Sequence, residues 1–208
     1  HSKFLNIYIK EDIQSFSTKD EFYNQNFVYQ LKDTIKLDGG YYRIDSLKND
    51  FSGLFIKRLH MVKDFSDGFR IGDIMQAYPL KNLSGANFEI PRKGSSDYLL
   101  LDFWGTWCPP CREMLPDIKN LKHKFSDRLE VVGIALDKSP EVVQNYCSKN
   151  DIDWKQTYLN IEEPNHFILK NLSIKVYPTL ILLDKNNKIV YRGSDISGIK
   201  EIEKIISQ

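Results

Sequence analysis

Cys108 and Cys111, separated only by Pro109-Pro110, are the residues whose type and spacing most directly suggest chemistry. A C-x-x-C pair can close a disulfide across the first turn of a helix, or it can supply half of a metal site. A closed structural zinc site needs four ligands, usually a second Cys or His pair. Cys147 lies far off in sequence, and His1, His60, His123 and His166 form no H-x-x-x-H pair. The ligand count therefore favours redox chemistry over a metal. No cofactor beyond the redox-active disulfide itself is expected. Three cysteines in 208 residues are too few for a disulfide-stapled scaffold.

The surroundings of the pair suit that chemistry. Tyr98 to Trp104 is a nearly continuous apolar run of strand length. Residues 109 to 125 then read as a helix with Pro109 in its first turn, where a missing N–H costs little. The pair thus falls at a helix N-terminus, whose unpaired N–H groups and partial positive charge favour a thiolate. Cys108 is expected to be the more exposed sulfur and the attacking thiol, with Cys111 resolving the mixed disulfide. Pro109 and Pro110 stiffen the intervening dipeptide and are expected to tune its redox potential.

Further along, Leu129 to Leu136 reads as a second buried strand, and Pro140 to Lys149 as a helix capped by Ser139. A strand near Trp154 to Leu159 and a helix from Glu162 to Asn171 follow. Leu180 to Leu183 and Ile189 to Arg192 flank Asp184-Lys185-Asn186-Asn187-Lys188, a hairpin turn. A last helix is expected from Ile196 to Ile206. This alternation predicts an α/β fold with parallel pairing that ends in an antiparallel hairpin. Before the dithiol, Leu80 to Leu83 and Phe88 to Ile90 form another expected hairpin.

Residues 1–70 have a different texture, polar and rich in aromatics. Asp38-Gly39-Gly40 marks a turn between two short extended runs, and Leu54 to Leu59 is a third. This part is predicted to be a small β-rich module with a helix around residues 18–30, the tail end of a larger domain being an alternative. Residues 71–208 form the second expected domain. Lys plus Arg (29) nearly balances Asp plus Glu (28), which gives no electrostatic case for nucleic acid. No apolar run reaches the ~20 residues of a membrane helix. The chain begins at His1 without a signal-peptide pattern, so a trimmed or processed chain is expected, with any export signal or anchor upstream.

The stretch Asp102-Phe103-Trp104-Gly105-Thr106-Trp107-Cys108-Pro109-Pro110-Cys111 resembles the active site of the thioredoxin superfamily. Asp102 takes the place of that family's buried aspartate, and Pro116 that of its helix-kinking proline. Val176-Tyr177-Pro178-Thr179 resembles the loop that carries its cis-proline. The extra helix and strand between Asp137 and Asn160, with the leading hairpin, resemble the TlpA/ResA-like branch. The resemblance covers about residues 70 to 208. It implies a thioredoxin-like fold: a central mixed sheet flanked by helices, with a TlpA-type αβ insertion.

That resemblance also implies roles. Asp102 would exchange a proton with Cys111, Pro178 would present backbone to a substrate strand, and Tyr177 and Trp107 would shape the substrate groove. Trp104 is expected in the core and Cys147 to be a small buried residue. Many members of the branch have glutamate three residues after the second cysteine. Met114 stands there, with Glu113 about 100° away around the helix, leaving Asp102 as the acidic group beside the dithiol. The implied function is thiol-disulfide exchange with protein substrates, as a reductant in the bacterial periplasm or cell envelope. Its electrons would come from a membrane-borne or soluble thiol donor. Two alternatives stand beside it. A peroxiredoxin-like peroxidase would need proline seven residues before Cys108, where Leu101 stands. In the other, the N-terminal module binds a partner and the redox domain is auxiliary.

Overall fold

The computed structural model describes residues 34–37, 40–48, 53–59, 70–91, 96–163, 166–194 and 196–208. The chain divides into two compact units, 1–65 and 66–208, slightly ahead of the expected boundary at 70. In the first unit, strands β1 (Thr34–Leu37), β2 (Gly40–Leu47) and β3 (Leu54–Leu59) form an antiparallel sheet in the order β1-β2-β3. The helix expected near residues 18–30 lies outside the described residues.

In the second unit, β4 (Tyr78–Lys81) and β5 (Asn87–Ile90) make the leading hairpin. The Asn82 side chain closes its turn by accepting from the backbone N–H of Ser84 and of Ala86. The main sheet contains β6 (Tyr98–Trp104), β7 (Leu129–Asp137), β8 (Lys155–Asn160), β9 (Thr179–Asp184) and β10 (Ile189–Gly193). Its order is β10-β9-β6-β7-β8; β6-β7 and β7-β8 are parallel, β9 is antiparallel to both neighbours. Helices α1 (Pro109–Lys124), α2 (Pro140–Lys149), α3 (Phe167–Asn171) and α4 (Gly198–Ile206) flank it. This is a mixed sheet flanked by helices, with α2 and β8 as the insertion.

Strand β6 is central, so both its faces are buried and its run is apolar except at Asp102. Leu101 and Phe103 face a core with Tyr78, Ile90 and Ile168. Leu100 faces the other core, where Met114, Ile118 and Leu121 form the apolar stripe of α1. Asp102 and Trp104 alternate onto that same α1 side.

Three element boundaries differ from expectation: the first strand of the leading hairpin, expected from Leu80 to Leu83, spans Tyr78–Lys81, and two helices start late. The helix expected from Glu162 begins only at Phe167. Asn160 Oδ1 accepts the Glu162 N–H, and the Asn160 carbonyl accepts the Glu163 N–H, making a turn instead. Pro164 disfavours helical backbone at Glu163. The last helix starts at Gly198, Ile196 and Ser197 forming a turn.

Candidate active site

Cys108 and Cys111 are joined by a disulfide, their Cα atoms 5.3 Å apart. Cys108 is the N-cap of α1, in extended backbone conformation, and its Sγ accepts the Cys111 N–H at 3.3 Å. A helix N-terminal N–H is thereby aimed at the sulfur, an arrangement that stabilises charge there once the disulfide opens. Pro109 and Pro110 occupy the first turn, exposed, where they remove no helical hydrogen bond.

The loop entering the pair is pinned. Asp137, closing β7, accepts the Thr106 N–H at 2.7 Å and the Thr106 hydroxyl at 3.0 Å. The Trp107 indole N–H donates to the Leu136 carbonyl at 2.7 Å. Gly105 is required between them, because a Cβ there would come within 2.8 Å of that same carbonyl. Sequence reasoning missed Asp137 as a site residue. Its only signal was a polar residue closing an apolar strand.

Both sulfurs lie in an apolar cluster with Trp104, Ala135, Val143 and Cys147. Cys108 is 2% exposed and Cys111 6%. The expectation that Cys108 is the more exposed therefore does not hold in this disulfide form. The inserted helix α2 supplies Val143 and Cys147 to that cluster, and Tyr177 packs against it. Trp107 is 46% exposed, its ring edge-on to Tyr177 with centroids 5.5 Å apart. The Tyr177–Pro178 peptide bond is cis and Pro178 is buried. Burial pushes the Tyr177 phenol up to about 12 and the Cys147 thiol up to about 11. Cys147 is free.

Behind the disulfide, a cleft of about 230 Å³, counted out to its mouth, reaches Asp102 and Cys111 past Arg112, Tyr146 and Trp154. Asp102 is buried, and desolvation raises its carboxyl to about 7. Its Oδ1 has no hydrogen-bond partner among the described residues. Met114 is fully buried and Glu113 exposed, so Asp102 is the carboxylate that lines this cleft with Cys111. Among the described residues, no three His, Cys, Asp or Glu side chains are grouped to hold a metal.

Residues 95–189 match the family model described as Thioredoxin-like. The thioredoxin-like protein YneN of Bacillus subtilis (strain 168) is 28% identical over 59% of this chain and 70% of its own length. The thiol-disulfide oxidoreductase ResA of Bacillus thuringiensis subsp. konkukian (strain 97-27) is 27% identical over 65% of this chain and 74% of its own. The crystal structure of the thioredoxin domain of a Bacteroides vulgatus thiol-disulfide oxidoreductase superposes with a TM-score of 0.57 at 23% identity. It covers 65% of this chain and 97% of that one, a likeness of fold. Residues 95–189 thus carry a Thioredoxin-like domain, and the chain is similar in sequence and fold to thiol-disulfide oxidoreductases such as ResA.

Proposed function

We propose that the Cys108–Cys111 dithiol reduces disulfides of protein substrates in the bacterial cell envelope. One observation carries this reading: the disulfide sits at the N-terminus of α1, with Cys111 opening onto the cleft that holds Asp102. In the reduced protein, Cys108 thiolate attacks one sulfur of the substrate disulfide and expels the other as a thiolate, which takes up a proton from solvent. Asp102 carboxylate accepts the Cys111 proton. Cys111 thiolate then attacks Cys108 Sγ, the disulfide seen here re-forms, and the second substrate sulfur leaves and is protonated. Two electrons pass from the dithiol to the substrate.

Cys108 owes its nucleophilic role to the N-cap position rather than to exposure. Substrate backbone pairs beside cis-Pro178, and Trp107 with Tyr177 walls the groove. Electrons return from a thiol donor, membrane-borne or soluble. The envelope location and the reducing direction rest on the likeness to the TlpA/ResA-like group. No described helix is long and apolar enough to cross a membrane.

The test is Cys111→Ala in cell-envelope extracts. The variant should accumulate mixed disulfides on Cys108, and recovery of none under several redox conditions would overturn the reading. A reduction potential near thioredoxin's, roughly −270 mV, supports the reducing direction; one near roughly −120 mV reverses it.

A further inference from the structure

The sheet places a buried amide in line with the buried carboxyl. Asp102 on β6 pairs with Gly133 on β7, and Gly133 pairs with Gln156 on β8. Residues in register across parallel strands share a face, so Asp102 and Gln156 flank Gly133 on the α1 side. Gly133 has no side chain, and the Gln156 amide fills the space above it. A Cβ built at Gly133 would overlap Oε1, Cδ and Nε2 of Gln156.

The amide is also oriented. Its Oε1 accepts the Trp104 indole N–H at 3.0 Å. That donor fixes which end is oxygen and which is nitrogen. Gln156 is 7% exposed, and its Nε2 has no hydrogen-bond partner among the described residues. Asp102 Oδ1, an acceptor, is in the same condition, and so is Trp154 Nε1, a donor at the same cleft. A buried donor left unpaired is costly, and complementary groups too far apart for a direct bond are commonly joined by one water. Such a water needs two to four polar partners; Asp102 and Trp154 line the cleft, and Trp104, which lines it too, holds the Gln156 amide over Gly133 next to it.

We propose that Gln156 is a positioning residue for the Asp102 proton step, its Nε2–H sharing one water with the Asp102 carboxyl. A water that accepts from Gln156, and from Trp154, has only its hydrogens left to offer. It therefore donates to Asp102 and favours the carboxylate, the form that takes the Cys111 proton. Without it, burial alone acts on Asp102 and holds the carboxyl protonated to higher pH. The titratable and charged groups lining the cleft beside Asp102 are Cys111 and Arg112 from α1 and Tyr146 from α2. Its strand neighbours, Gly133 and Leu180, carry none. This inference rests on the relay assigned to Asp102 under the proposed function.

The test is carbon and nitrogen NMR on the full chain in its disulfide form, where neither Cys108 nor Cys111 titrates. In the wild type, the Gln156 Nε2 shift should follow the Asp102 carboxyl titration with the same midpoint. In Gln156→Met, of similar length but without the donor, the Asp102 midpoint should rise by roughly one unit. In the reduced variant, the acid limb of the resolution rate should rise with it. A Gln156 shift that stays flat through the Asp102 titration overturns the proposal, even if the variant fails to fold. So does an unchanged Asp102 midpoint in a folded variant. Asp102→Asn separates the two readings: wild-type resolution rates at every pH in that variant overturn the relay itself, and with it the catalytic role given to Gln156.

Discussion

Asp137 holds Thr106 by two hydrogen bonds, one from the backbone N–H at 2.7 Å and one from the hydroxyl at 3.0 Å. The end of β7 thereby ties down the loop that carries Trp107 and Cys108. The contact joins residues 31 apart in sequence across two neighbouring strands.

Asp137→Ala should loosen that loop. The Thr106 N–H and hydroxyl lose an ionisable acceptor, a loss of roughly 1.5–3 kcal/mol per charged hydrogen bond before water compensates. Urea unfolding of the oxidised protein should show a lower midpoint at unchanged slope. After reduction, Cys108 should also react faster with a small alkylating reagent. An unchanged midpoint would mean that the loop is held by other contacts.

Asp102 should make stability depend on pH. Its folded-state value of about 7 lies above the ordinary 3.8, because burial disfavours the charge. Below pH about 4 the carboxyl is protonated in folded and unfolded chains alike, and the folded state loses nothing. Between about 4 and 7 the unfolded chain ionises first, and stability falls by up to roughly 4 kcal/mol, about three units at 1.36 kcal/mol each. Asp102→Asn removes this component. The variant should gain on the wild type between pH 5 and pH 8, measured as a difference in denaturation midpoints. A difference that does not change with pH would contradict the burial argument.

Gly133→Ala should be costly although the change is one methyl group. The new Cβ overlaps the Gln156 amide, which is held by Trp104. Forced repacking of this kind costs roughly 1–3 kcal/mol. Thermal unfolding should report it. Gly133→Ala combined with Gln156→Ala should recover part of the loss, because the second change empties the contested space.

Cys147 should stay silent in the redox cycle. Its thiol is buried and raised to about 11, so little thiolate forms at neutral pH. Iodoacetamide treatment of the reduced native protein, followed by peptide mapping, should label Cys108 and leave Cys147 unmodified. Labelling of Cys147 at a comparable rate would show that its pocket opens.

Much of this could be read along the chain. Strand β3, Leu54–Leu59, and helix α2, Pro140–Lys149, lie where their residues suggested. The run Tyr98 to Trp104, apolar except at Asp102, read as a buried strand by its length, and its central place in the sheet is given by the fold. The exposure order of the two sulfurs was not legible. Both sulfurs share a cluster with Val143 and Cys147, brought in by the insertion, and Tyr177 packs against it, contacts that residue order does not reveal.

Residue order alone makes the chemistry and its frame legible: a C-x-x-C pair, placed between an apolar strand and a helix, with Asp102 six residues upstream. These are local properties, set by spacing and by alternation along neighbouring residues. Which groups surround that pair follows from the packing of the strands. Asp137 meets Thr106, and Gln156 lies over Gly133 in line with Asp102, because β6, β7 and β8 stack in parallel register. Parallel pairing joins residues separated by whole helices, and no periodicity within a strand encodes which residue of a neighbouring strand will stand opposite.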